Sequence, residues 1–74
     1  MPIHPGEADL RRRLARGVKR ERTRLGLTQE EAAEAAGIAT RQLQRVEAGT
    51  VNAGLSTLAG LARALGVDVT RLLR

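Results

Sequence analysis

The chain has 74 residues and a mass of 8.0 kDa, enough for one small domain that buries roughly 60% of its unfolded surface. It has no cysteine and no aromatic residue. That excludes a disulfide framework, a thiolate metal site, a cysteine nucleophile and stacking platforms for single-stranded bases. Thirteen Lys+Arg against eight Asp+Glu leave +5, so a polyanionic partner is expected, either nucleic acid or an anionic membrane surface.

Residues 1–6 read as an N-terminal tail and 7–74 as a single domain. The tail has no charged run leading into an apolar stretch, and no apolar run in the chain is long enough to cross a bilayer. Neither a secretory leader nor a membrane span is therefore expected. His4, the one histidine, lies between two prolines of the tail and reads as a solvated residue.

A first helix is expected from about Glu7 to Leu25. Glu7 and Asp9 suit the dipole of its first turn, and Leu10, Leu14, Val18 and Leu25 form its apolar stripe. Glu21 interrupts that stripe; pairing with an arginine or a local rotation of the helix would each accommodate it. The outer face carries Arg12, Arg13, Arg16, Lys19 and Arg20, a solvated face that can also touch or steer toward phosphates. A second helix, Gln29–Ala36, begins with a capping box between Thr28 and Glu31. A third follows from Thr40 to Ala48, a fourth from Ser56 to Leu65, and a fifth from Val69 to Leu73 with Asp68 as its cap. Gly26, Gly37, Gly49, Gly54 and Gly66 fall between these segments, where C-caps and turns occur. No run alternates with period two, so no strand is expected.

The fold class is thus all-α: five short helices around one core, since helices of eight or nine residues are not stable alone. The expected core is Leu14, Val18, Leu25, Leu27, Ala32, Ala33, Ile38, Leu43, Val46, Leu58, Leu61, Ala62, Leu65 and Leu72.

On a helical wheel, Leu43 and Val46 mark the inner face of the third helix. Arg41, Gln44, Arg45 and Ala48 lie opposite, with Thr40 on the flank. This outward face has no acid. Arginine forks onto guanine O6 and N7, and glutamine pairs with adenine N6 and N7, so these side chains suit base edges in a major groove. The open N-terminus of the second helix, at Thr28 and Gln29, suits a phosphate. Two helices joined by a short turn at Gly37 have the layout of a helix-turn-helix.

The stretch from Arg22 to Leu72 resembles the helix-turn-helix domain of the phage lambda repressor and Cro family, also called the xenobiotic-response-element family. The matching residues are Arg22, Leu25-Gly26-Leu27-Thr28-Gln29-Glu30-Glu31 and Ala33, then Gly37-Ile38, then Leu43, Arg45-Val46-Glu47 and Gly49, then Leu55, Leu58, Leu61-Ala62 and Ala64-Leu65-Gly66-Val67. The resemblance implies a compact five-helix fold that places its third helix in the major groove of double-stranded DNA. It implies base-reading positions at Thr40, Arg41, Gln44 and Arg45, and a phosphate grip by Gln29. Thr28, and Thr50 and Asn52 of the loop 49–54, are further candidates for phosphate contact. In the family, Glu47 pairs with the arginine matching Arg22. Burial of Glu47 on the inner flank of the third helix would require such a partner, so Arg22–Glu47 is read as a structural ion pair. Ala32 stands where the family often has leucine, Ala39 where a serine or threonine often caps the third helix (a role Thr40 could take), and Ala53-Gly54 replaces a common proline-serine.

These residues point to a sequence-specific transcription regulator, a repressor or autoregulator acting in a prokaryotic or phage-infected cytoplasm. A single helix reads only a few base pairs, so a homodimer on a palindromic operator is expected, with Leu55, Val69, Leu72 and Leu73 as its contact. The alternative is an antitoxin or adaptor whose main role is binding a protein partner such as a toxin. Nothing in the sequence calls for a cofactor or a metal. No set of side chains has the spacing of a catalytic site, so an enzyme is not expected.

Overall fold

A computed structural model describes residues 6–74, and the expectations for His4 and most of the tail lie outside them. The described residues form five helices: α1 Glu7–Arg24, α2 Gln29–Ala36, α3 Thr40–Ala48, α4 Leu55–Leu65 and α5 Val69–Leu72. Each boundary falls within a residue of its expected place. The capping box forms: Thr28 Oγ1 accepts from the Glu31 amide at 3.0 Å, and Glu31 Oε1 accepts from the Thr28 amide at 2.9 Å. These bonds, the first to the Thr28 amide, hold the Glu31 carboxyl below its ordinary range. Asp68 caps α5 through the Thr70 amide at 2.9 Å. Ala39 is the N-cap of α3 and gives no side-chain bond, so Thr40 is the first helical residue rather than the cap.

Leu14, Val18, Ala32, Ala33, Ala36, Leu43, Val46, Leu61, Leu65 and Leu72 are buried in one cluster. Leu27, Ile38, Leu58 and Ala62 are half-buried against it. Leu25 departs from expectation and is 43% exposed. The helix ends at Arg24, Leu25 becomes its C-cap, and the chain turns at Gly26 with φ 70°, so that Leu27 takes the inward place. Leu10, one turn in from the other end, is 38% exposed. Gly54 also departs from expectation: it is the extended N-cap of α4, while the other four punctuating glycines have positive φ.

Two glycines inside helices fix the close approaches. A Cβ on Gly17 would lie 2.0 Å from the Leu72 carbonyl oxygen, so α5 sits directly on the α1 backbone. A Cβ on Gly60 would lie 2.5 Å from the carbonyl oxygen of Ala36, so α4 meets α2 in the same way. Alanines at 32, 33 and 36 give α2 the slim inner face that this requires.

Glu21 is the one buried charged residue in the described chain, fully enclosed between α1 and α5. The stripe is kept and the carboxylate is paired. Oε1 accepts from Arg24 Nε at 2.8 Å, and Oε2 accepts from Arg20 Nε at 3.0 Å and Arg71 Nε at 3.1 Å. Arg20 Nη2 also donates to the Arg71 carbonyl at 2.8 Å. The Arg24 and Arg20 hydrogen bonds outweigh desolvation and hold the Glu21 carboxyl down at about 2.

Candidate nucleic-acid interface

The site is built on α3. Leu43 and Val46 are buried beneath it, while Arg41, Gln44, Arg45 and Ala48 are exposed and Thr40 is half-buried. Gly37 before the helix and Gly49 after it adopt φ of 74° and 73°, which lets the chain reverse sharply at both ends. Among the described residues neither Arg41 nor Arg45 has a side-chain hydrogen bond or ion pair, so both guanidinium groups are available to a ligand. An open cleft of about 460 Å³ runs between α3 and the loop 49–54, lined by Arg41, Arg45, Val51 and Asn52.

A hydrogen-bonded chain holds this helix from behind. Arg22, at the end of α1, donates Nε to Glu47 Oε2 at 2.6 Å and Nη2 to Glu47 Oε1 at 3.0 Å. Its third nitrogen, Nη1, donates to the Leu27 carbonyl at 2.9 Å. Both side chains are largely buried, and the hydrogen bonds to Glu47 push the Arg22 pKa above its ordinary value. Gln29, first in α2, donates Nε2 to the same Glu47 oxygen at 3.2 Å and accepts from Gln44 Nε2 at 3.5 Å. Four residues from α1, α2 and α3 thereby fix the angle of α3 against the N-terminus of α2. Arg22 and Glu47 were legible as a pair in the sequence. The link onward to Gln29 and Gln44 was not, because an amide has no charge to demand a partner.

The expected phosphate contacts are placed unequally. Gln29 keeps one amide hydrogen for a ligand after bonding Glu47, and Thr28 keeps its hydroxyl hydrogen because the oxygen serves as acceptor in the cap. Thr50 is closed onto α3 instead: its amide and hydroxyl both donate to the Arg45 carbonyl at 3.2 Å. Asn52 donates Nδ2 to Glu7 at 2.9 Å and accepts from Arg11 at 2.6 Å, so it ties the loop to α1. Thr50 has no hydroxyl hydrogen left for a phosphate, while Asn52 keeps one amide hydrogen after bonding Glu7.

The expected dimer residues also divide. Leu55 is 85% exposed and Val69 and Leu73 are half-buried. Leu72 is completely buried against α1 and has no surface to offer a second chain, which removes it from any such contact. The sequence places Leu72 in the core as well as in the dimer contact, and its backbone against Gly17 seats it in the core. A groove of about 220 Å³ is lined by Leu10, Leu14, Ala53, Leu58 and Leu73 together with Glu7, Arg11 and Asn52; Ala53 and Leu58 stand two and three residues from Leu55 in the chain.

Among the described residues no helix is long and apolar enough to cross a membrane. Comparison with solved structures finds the same fold in bacterial proteins. A hypothetical transcription factor from Neisseria, NHTF, is 36% identical with a TM-score of 0.85 over 100% of this chain and 86% of its own. The restriction-modification controller protein C.AhdI from Aeromonas hydrophila is 29% identical with a TM-score of 0.80, covering 84% of this chain and 94% of its own. The clp gene regulator ClgR from C. glutamicum is 29% identical with a TM-score of 0.79, covering 99% of this chain and 87% of its own. A search of curated proteins finds no match. The helix-turn-helix family model HTH_3 matches residues 18–72, which include α2, α3, the Arg22–Glu47 pair and α4 through α5; the chain belongs to that family.

Proposed function

We propose that the protein is a sequence-specific transcription regulator of double-stranded DNA, a repressor or autoregulator that binds a palindromic operator as a homodimer. Helix α3 enters the major groove, Arg41, Gln44 and Arg45 read base edges with Thr40 at the flank, and Gln29 and Thr28 hold a phosphate. One observation carries this reading: the outward face of α3 presents two unpaired arginines and a glutamine, is free of acid, and is braced from behind by Arg22, Glu47 and Gln29. A rigid, preorganised donor face fits base-edge recognition better than it fits a protein partner, which would call for exposed apolar side chains at its centre. The similar solved proteins named as a transcription factor, a controller protein and a gene regulator support the same reading. The exposed Leu55, and a groove lined by its chain neighbours Ala53 and Leu58, support the homodimer, since a projection and a hollow can each fill the other across a two-fold axis.

Selection of bound sequences from random duplex DNA is the test. A symmetric enriched motif, with half-sites about 34 Å apart centre to centre, is expected. No enrichment above background overturns the reading.

A further inference from the structure

The net charge of the chain does not lie on the face assigned to reading. Arg12, Arg13, Arg16, Lys19, Arg20 and Arg24 share one arc of α1, roughly 140° wide at 3.6 residues per turn, in which Asp9 is the only acid. Arg71 on α5 joins it across the buried Glu21, and Arg74 follows two residues beyond the end of that helix. Eight basic residues against Asp9 and Glu21 leave +6, and the remainder of the chain, including Glu30, Glu31 and Glu34 on α2, sums to −1.

The arc is turned away from α3. The residues of α1 that meet α3 and the loop following it are Arg11, Ala15 and Arg22; they lie more than a quarter turn around the helix from the middle of the arc, while Lys19 and Arg12 at its edge come within about 40° and about 60° of Ala15. The arc contains no large apolar side chain, so it offers neither the apolar centre of a protein interface nor the inserted residues of a membrane-surface helix. Arginine guanidinium groups in rows, without apolar residues between them, match a row of phosphates. Glu21 orients three of them: Arg20, Arg24 and Arg71 each give Nε to it, Arg20 Nη2 is taken by the Arg71 carbonyl, and the terminal nitrogens of Arg24 and Arg71 have no partner among the described residues, with each side chain about half exposed.

We propose that the α1–α5 face holds a second DNA duplex by its phosphates while α3 reads the first, so that one protein molecule bridges two duplexes. This second contact presupposes that α3 reads the first, and the two are separable by mutation. Arg16 and Lys19 make no hydrogen bond or ion pair among the described residues, and Arg12 has only Asp9 at 3.5 Å. A variant carrying Arg12→Gln, Arg16→Gln and Lys19→Gln therefore spares the Glu21 cluster, and its thermal unfolding serves as the control for folding.

Beads carrying a duplex are loaded with protein, washed, and offered a labelled duplex of unrelated sequence. The wild-type protein is expected to retain the label. The triple variant is expected to retain about tenfold less, with the salt slope of label capture reduced by up to about 3, while the amount of protein on the beads changes less than about twofold. No label on the wild-type beads overturns the proposal, as does undiminished label on the variant. Equal loss of protein and label also overturns it, because the arc then lies against the first duplex. In a separate arm, Arg41→Ala with Arg45→Ala is expected to lose discrimination between the selected and an unrelated immobilised duplex yet still capture label. Retained discrimination in that arm overturns the reading by α3 and leaves the α1–α5 face standing.

Discussion

Glu21 shows how a single charged residue can occupy a core position. Its two oxygens receive three arginine Nε donors, so no buried acceptor is left unpaired. The folded-state pKa of about 2 lies below the ordinary 4.5, so the stabilisation it brings is complete above about pH 4.5 and is lost as pH falls toward 2. Thermal unfolding of the wild type and of Glu21→Gln between pH 6 and pH 2 checks this: the wild type is expected to be the more stable at pH 6, with the gap closing across that window. Glu21→Leu is expected to unfold at a higher temperature than Glu21→Gln at every pH, because the half-exposed arginines rehydrate when an apolar side chain fills the site. The sequence leaves open whether an arginine pairs with this carboxylate or the helix rotates; Arg20 and Arg24 are its neighbours on α1, whereas Arg71 stands 50 residues away and only the fold brings it near. At Glu47 the remedy was legible through the family pattern. Glu47→Ala is expected to cost about 3 kcal/mol in chemical denaturation, as it leaves the largely buried Arg22 without its bidentate partner.

The helices themselves were legible almost to the residue, because each carries its own punctuation. Thr28 and Glu31 announce α2, Asp68 announces α5, and Gly37 and Gly49 close α2 and α3. What periodicity could not supply was the distance between helices. Gly17 and Gly60 look like weak points in α1 and α4, since glycine lowers helix propensity, yet each lies where another backbone comes within contact range. Gly17→Ala is therefore expected to destabilise the fold by about 3 kcal/mol or more despite the better propensity of alanine, read as a lowered denaturant midpoint. Gly60→Ala is expected to act in the same direction, through the Ala36 carbonyl. Gly6, with nothing near its missing Cβ, is the control: alanine there should change stability little. The exposed Leu25 follows from the same limit. A stripe extrapolated to its last leucine ignores that a helix end turns its residues out of register with the core.

For the molecule as a whole, the proposed homodimer turns on Leu55. A side chain of that size left 85% exposed beside an apolar groove is expected to be covered when two copies meet. Sedimentation at tens of micromolar should show a dimer for the wild type and a monomer for Leu55→Glu, with unfolding of the monomer little changed because Leu55 adds nothing to the core. A monomeric wild type, with and without DNA, counts against the dimer. The charge map has a consequence for kinetics. With +6 along α1, α5 and the residues just after it, and three glutamates on α2, the positive charge is concentrated away from the face proposed to read bases. Long-range attraction toward DNA acts on that charge first. On the proposed reading, initial encounters are expected in the wrong orientation for base contact, with α3 reaching a groove after the protein rolls on the phosphate surface. The expected outcome is an association rate that falls with salt through the arginine face, and a residence time that follows changes in α3.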